Sequence, residues 1–336
     1  MMKGVAVIGV GQWGENHVRV FKELAAECAV EHVKIYDVDE RRAKEISQSF
    51  GVECTNYEKI LKDPNIQAVS IVTPSTTHYE IAKEFLEAGK DVFVEKPMTL
   101  NSEHARELIQ IAKKENSILA VGHIFRYHSA LCKLKDMMDR GDLGRIYTLI
   151  GNRYSMGPPR KDMGVIFALG IHEFDIFCHL LDVKYPREIT AFIEKQLQPK
   201  FEETAMIAMK FEGGTYGFAM ESWLTPVYGK RRELVVAGSE KSALVDYLKP
   251  HELKVFSSRI VSDEVDGQTF FSLRDEGVHT IPLEYKEPLK EELNHFIECV
   301  EDRSKPVSDG EVGLRAIEVA EAALQSAKLK KTIKMG

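Results

Sequence analysis

The sequence predicts an α/β chain in two parts, a doubly wound parallel sheet followed by an α+β domain with an open, mostly antiparallel sheet. Three observations lead to this class. Apolar runs at 5–8, 33–36, 68–72, 92–94 and 118–121 alternate with amphipathic stretches at 15–29, 39–50, 77–88 and 102–115, the rhythm of βαβ units. Beyond Gly122-His123 the rhythm breaks, and strand-like segments at 187–196, 203–211, 215–223, 232–238 and 243–248, with shorter ones to about 283, lack helices between them. At 336 residues, 44% of them hydrophobic, the chain can fill two cores. The boundary falls after His123, giving domains 1–123 and 124–336, the second closed by helices at 287–302 and 309–328.

The first apolar run opens into Gly9-Val10-Gly11-Gln12-Trp13-Gly14 and then a helical pattern. In such a loop the first glycine makes a tight strand-to-helix turn, the second admits a pyrophosphate close to the backbone, and the third lets helix and strand pack closely. Helix N-terminal N–H groups then face the phosphates. The second run ends in Asp37, 23 residues after Gly14. A carboxylate there accepts hydrogen bonds from an adenosine ribose and repels a 2′-phosphate, which favours NAD; Arg41 and Arg42, close behind it, keep NADP open.

Ligands of doubly wound sheets bind beyond the carboxyl ends of the strands, so the residues after each later run matter next. The third run gives Thr73-Pro74-Ser75-Thr76-Thr77-His78, whose hydroxyls suit either a cofactor or helix capping. The fourth gives Glu95-Lys96-Pro97, and the fifth Gly122-His123-Ile124-Phe125-Arg126-Tyr127. A helix to about Arg140, the turn Gly141-Asp142-Leu143-Gly144 and a strand at 145–154 follow. After the turn Met156-Gly157-Pro158-Pro159-Arg160, a largely apolar helix at 164–182 carries His172, Asp175 and His179 on one face. Polar groups on a buried face need partners, in the protein or in a ligand.

The formal charge of −7, with Lys and Arg scattered, provides no basic field for nucleic acid or for acidic membrane surfaces. The five cysteines at 28, 54, 132, 178 and 299 show neither C-x-x-C spacing nor an even count, so neither a disulfide framework nor a metal site is expected. No signal architecture and no apolar run near membrane-spanning length is present, and the expectation is a cytoplasmic, soluble protein.

The glycine loop, Asp37, Thr73-Pro74 with His78, Glu95-Lys96-Pro97, Gly122 with Arg126-Tyr127, Asp142-Leu143-Gly144 and Gly170-Ile171-His172 with Asp175 together resemble the family of glucose-fructose oxidoreductase, inositol dehydrogenase and MocA. The match runs nearly end to end. It implies an N-terminal Rossmann domain, an open C-terminal sheet used to form a homodimer or homotetramer, and a site in the cleft between domains. It also implies hydride transfer between a sugar or polyol CH–OH carbon and nicotinamide. On this resemblance Gly9, Gly11, Gln12, Trp13, Gly14, Asp37, Thr73, Pro74, Ser75, His78, Glu95, Lys96 and Pro97 hold the cofactor, and the Lys96-Pro97 bond is cis. Lys96 and His172 are the catalytic pair, and either can be the base: histidine needs little tuning, whereas lysine must be lowered from ~10.4. Asp175, Arg126, Tyr127, Arg153 and Arg160 face the substrate.

One position departs from the family pattern. Many relatives carry an aspartate four residues before the histidine, where this chain has Ala168. That loss argues against polyols such as inositol. The run from Arg153 through Gly157-Pro158-Pro159-Arg160 to Gly164-Val165 looks similar to UDP-N-acetylglucosamine 3-dehydrogenases, so a nucleotide sugar is the favoured substrate, with Arg153, Arg160, Lys161 and Lys230-Arg231-Arg232 as partners for its diphosphate. The alternatives are a polyol or free-sugar dehydrogenase, an NAD-dependent glycosidase, and a non-catalytic NAD-binding sensor.

Overall fold

The structure, a computed structural model, describes residues 1–226 and 229–336. Contacts divide the chain into two compact units, Met1–Arg126 with Glu287–Glu318, and Tyr127–Lys286 with Val319–Gly336. The first unit runs β1 (Met2–Ile8), α1 (Gln12–Ala26), β2 (Val30–Tyr36), α2 (Glu40–Phe50), β3 (Glu53–Cys54), α3 (Tyr57–Lys62), β4 (Ala68–Ile71), α4 (His78–Glu87), β5 (Asp91–Val94), α5 (Ser102–Glu115) and β6 (Leu119–Val121). Its six strands lie in the order β3-β2-β1-β4-β5-β6, and all pair in parallel. The order reverses at β1 and β4, so the crevice beyond their carboxyl ends is the place for a ligand. Helix starts follow their capping residues: Asp39 accepts from the N–H groups of Arg41 and Arg42, and Asn101 from that of His104. The short β3 and α3 were not expected, because two strand residues and six helical ones are too few to leave a period in the sequence.

The second unit begins with α6 (Ser129–Asp139) and β7 (Ile146–Ser155). The apolar stretch expected as one helix at 164–182 divides into a π-helical turn, Ile166–Gly170, and α7 (Ile171–Leu180). Then come β8 (Glu188–Glu194), β9 (Thr204–Lys210), β10 (Tyr216–Ser222), β11 (Lys230–Gly238), β12 (Ser242–Asp246), β13 (Glu252–Val265) and β14 (Gln268–Pro282). The strands expected to be short near 283 are instead two long partners in a hairpin, 14 and 15 residues long. Beyond its base the hairpin is exposed on both faces, so no alternation of apolar and polar residues marks it in the sequence.

After β14 the chain forms α8 (Pro288–Asp302), α9 (Gly310–Leu329) and β15 (Ile333–Lys334). Among the described residues, the strands of the second unit form a nine-stranded sheet ordered β14-β13-β12-β11-β7-β10-β9-β8-β15, antiparallel except for β7 with β10. One face of this sheet is covered by α7. An added Cβ at Gly151 would come within 2.5 Å of Glu173 Cγ, and one at Gly217 within 2.7 Å of Phe177 Cδ2, so the two glycines seat that helix. The other face leaves Ile150, Phe192, Met206 and Phe218 exposed.

The closing segment, expected with the second domain, packs first with the other unit. Leu289, Leu293, Phe296, Ile297 and Val300 enter the core formed by β1, α1 and β2, and the division falls within α9 after Glu318. The apolar stripe of α8 announces a buried face but not its partner. Phe296 is 1% exposed and meets the Phe93 ring at 5.6 Å in a T-shaped contact. We expect Phe296→Ala to cost about 3–5 kcal/mol in urea denaturation. A loss below about 1 kcal/mol would show that α8 is not part of this core.

Candidate active site

The glycine loop has the geometry that its spacing implies. Gly9 has φ +89°, and an added Cβ there would lie 2.8 Å from Thr73 Cγ2; at Gly14 it would lie 2.0 Å from the Gly9 carbonyl oxygen. Neither position tolerates a side chain. Around Gly11 an added Cβ would meet nothing within 4 Å, and Gly11 caps α1 without a side-chain hydrogen bond, leaving room for an anion against the first turn. Asp37 closes the loop, accepting from Val10 N at 2.7 Å and Asp39 N at 2.9 Å. Arg42 donates from Nε to Val10 O at 3.1 Å and pairs with Glu15. These residues fit an adenosine dinucleotide, and the engagement of Arg42 fits NAD better than NADP.

Glu95 ties that loop to the end of β5. Its carboxylate accepts from Trp13 Nε1 at 2.8 Å and from the backbone N–H of Lys96 at 3.1 Å, and lies 3.2 Å from His17 Nε2. His17 Nδ1 in turn lies 2.9 Å from Ser70 Oγ on β4. Burial pushes the Glu95 carboxyl up, but the hydrogen bond and charge of His17, the Trp13 N–H and the Lys96 charge outweigh it and hold the group below the ordinary carboxylate range. Gly122 leaves the space, since a Cβ there would come within 2.9 Å of Glu95 Cδ. His17 and Ser70 are absent from the sequence reading. His17 lies three residues after Gly14, and that spacing along α1 toward the sheet was the available signal.

The other residues expected at the cofactor fall into two groups. Ser75 is buried, and Thr73 accepts from the Thr77 hydroxyl at 2.8 Å, so one threonine is used in shaping the turn. His78 is 1% exposed, and its ring nitrogens lie 2.8 Å from Pro97 O and 2.9 Å from Thr73 O. These contacts make it a staple between the Thr73 turn and the Lys96-Pro97 loop, whose peptide bond is cis. Arg126 donates from Nη1 to Val307 O at 3.1 Å within the same unit.

In the second unit, Tyr127 opens the chain before α6, and His172 and Asp175 start α7, 7% and 5% exposed. Ala168 lies in the π-helical turn, 4% exposed. Arg153 differs from the expectation of a diphosphate ligand. Its side chain is 1% exposed and its Nε donates to both carboxylate oxygens of Glu173, at 2.7 and 2.6 Å, so it has no surface to offer a phosphate. Alternation along β7 turned it inward. Arg160 sits on the surface in a two-point pair with Asp162 at 2.8 and 2.6 Å, and Arg231 pairs with Glu233 at 2.8 Å.

Two family models match the chain: an oxidoreductase family with an NAD-binding Rossmann fold over residues 3–123, and the C-terminal alpha/beta domain of the same family, that of glucose-fructose oxidoreductase, inositol dehydrogenase and MocA, over 135–335. The chain belongs to this family. Among similar curated proteins are a myo-inositol 2-dehydrogenase of Thermotoga maritima, 27% identical over 98% of both chains, and a UDP-N-acetylglucosamine 3-dehydrogenase of Acidithiobacillus ferrooxidans, 28% identical over 94% of both. A levoglucosan dehydrogenase solved with NADH and L-sorbose shares the fold, with TM-score 0.85 and 20% identity over 99% of this chain and 98% of that one. As a member of the glucose-fructose oxidoreductase, inositol dehydrogenase and MocA family, this protein is an NAD-binding sugar or polyol oxidoreductase. Among the described residues, no helix is long and apolar enough to cross a membrane.

Proposed function

We propose that the protein oxidises a secondary hydroxyl of a sugar, with Lys96 and His172 as the catalytic residues. The observation that carries this reading is the Glu95 carboxylate, which binds the Lys96 backbone and the Trp13 indole at once and so fixes the lysine beside the glycine loop. NAD, when bound, supplies the hydride acceptor. Gly11 and the first turn of α1 hold its pyrophosphate, Asp37 its adenosine ribose, and Trp13 and the Thr73-Pro74-Ser75 turn its remaining length.

The alcohol must lose its hydroxyl proton as hydride departs. His172 takes that proton, because an imidazole needs little tuning to act near neutral pH. Lys96 hydrogen-bonds the same oxygen and stabilises the negative charge that develops there. Asp175, three residues along α7, orients the imidazole or holds a second substrate hydroxyl.

For the substrate we infer a nucleotide sugar of the UDP-N-acetylglucosamine kind. Ala168 removes the carboxylate that polyol oxidation would use, and a relative 28% identical carries that name. A free sugar or polyol is the second reading, favoured by the pairing of Arg153, Arg160 and Arg231 with carboxylates, which leaves Lys161, Lys230 and the half-buried Arg232 as diphosphate partners. The exposed apolar face with Ile150, Phe192, Met206 and Phe218 supports a homodimer or homotetramer, which sedimentation should show at micromolar concentration; a monomer would contradict it.

With NAD and a panel of UDP-N-acetylglucosamine, UDP-glucose, myo-inositol and free hexoses, NADH absorbance should rise with a UDP-sugar. A rise with inositol or a hexose alone would select the second reading. Lys96→Met should lower turnover by about 10²- to 10⁴-fold while NADH still binds. No NADH from any member of the panel would favour the glycosidase or sensor readings, and wild-type function in Lys96→Met would select the sensor.

A further inference from the structure

Strands β11, β7 and β10 carry a row of charged side chains on the face that α7 covers. The pairing register sets Arg232 opposite Arg153, and Arg153 beside Glu221. Arg153 is 1% exposed, while Glu221 and the Glu173 that descends from α7 are both 0% exposed. The Arg153 guanidinium carbon lies 4.7 Å from the centre of the Tyr247 ring, so the group is held by a stacking contact and a two-oxygen pair together. Tyr247 is itself buried, its N–H donates to Arg232 O at 3.0 Å, and its ring meets His128 edge-on at 5.7 Å. Burial and then the Glu173 charge push the Glu221 carboxyl well up.

A buried ion pair is a poor source of stability, because desolvation consumes most of its attraction and apolar groups of equal volume do as well. Its strength is direction. Glu173 follows His172 and precedes Asp175 by two residues, on a helix that turns about 100° per residue. Locking the azimuth of Glu173 therefore locks that of its neighbours. The segment just before needs such a lock: Ile166–Gly170 is π-helical, and its N–H at Ile166 donates to Glu202 Oε1 at 3.1 Å. The 2.5 Å that a Gly151 Cβ would leave to Glu173 Cγ shows how closely the helix rests on β7 at this point.

We propose that Arg153, acting through Glu173, is a positioning residue that sets the rotation of α7 and thereby the direction of His172 and Asp175. The proposal rests on the catalytic reading of His172 given above. Its test compares wild type, Arg153→Lys and the double variant Arg153→Met/Glu173→Leu, all with NAD, by histidine side-chain NMR, with His172→Gln assigning the resonance. Lysine keeps the charge but loses the two-oxygen grip and the stacking. The double variant replaces the pair with apolar groups and should fold even where the single one does not.

The expected result is a shift of the His172 resonance in both variants, with the His17 resonance and NADH affinity unchanged. The sugar that yields NADH should then show kcat lower by about 10- to 100-fold. A folded variant with the His172 resonance in place would overturn the proposal and leave the pair a structural one. Should His172→Gln turn over that sugar at the wild-type rate, the catalytic reading fails, while the resonance still decides whether Arg153 positions α7.

Discussion

A single buried carboxylate holds the working parts of the amino-terminal unit together. Glu95 stands at the end of β5 and reaches α1 through Trp13 and His17, β4 through His17 and Ser70, and its own successor through the Lys96 N–H. Its neighbours keep it ionised despite burial. Such a charge is costly to bury without partners and directional with them. Its demands explain residues that otherwise look incidental: Gly122 is small because the carboxylate occupies the space a side chain would need, and His17 is buried because it is a partner and not a ligand. Below it, His78 staples the Thr73 turn to Pro97, so two loops expected to touch the cofactor separately are one unit.

Much of the fold is legible in the sequence, whereas the partners His17 and Ser70 behind Glu95 are not. Gly9 and Gly14 are readable because backbone atoms stand where their side chains would be, and no other residue fits. The parallel sheet is readable because both faces of its strands are covered, which writes continuous apolar runs separated by helical periods. What the sequence hides is partnership. The stripe on α8 shows a buried face, yet nothing local says that it meets Phe93 and the core around β1 and α1. An arginine in a strand reads as a surface cation until the neighbouring strands and Glu173 turn it into the centre of a buried row. The β13–β14 hairpin is hidden for the opposite reason, since with both faces exposed it has no pattern to write.

The second unit answers a different need. A nine-stranded sheet gives α7 a wide, stiff bed, and the glycines at 151 and 217 bring the helix down onto it. Charge in that interface fixes direction where apolar packing would permit rotation. The same economy narrows the choice of substrate. Three of the arginines that could have gripped a diphosphate, Arg153, Arg160 and Arg231, are engaged with Glu173, Asp162 and Glu233, so recognition of an anionic substrate falls to Arg232 and lysines or requires the exposed pairs to open. Surface pairs of that kind are worth at most about 1 kcal/mol, and a phosphate can displace them. The buried pair cannot be displaced so cheaply.

If the Glu95 charge organises the cofactor loop and the lysine together, the NADH dissociation constant of Glu95→Gln against wild type, read from NADH fluorescence, must show it. Glutamine keeps the shape but weakens the hydrogen bonds from Trp13, His17 and Lys96. Binding should be weaker by about 10-fold or more in a variant that remains folded. An unchanged dissociation constant would contradict it, and would reduce Glu95 to a filler of the space beside Gly122.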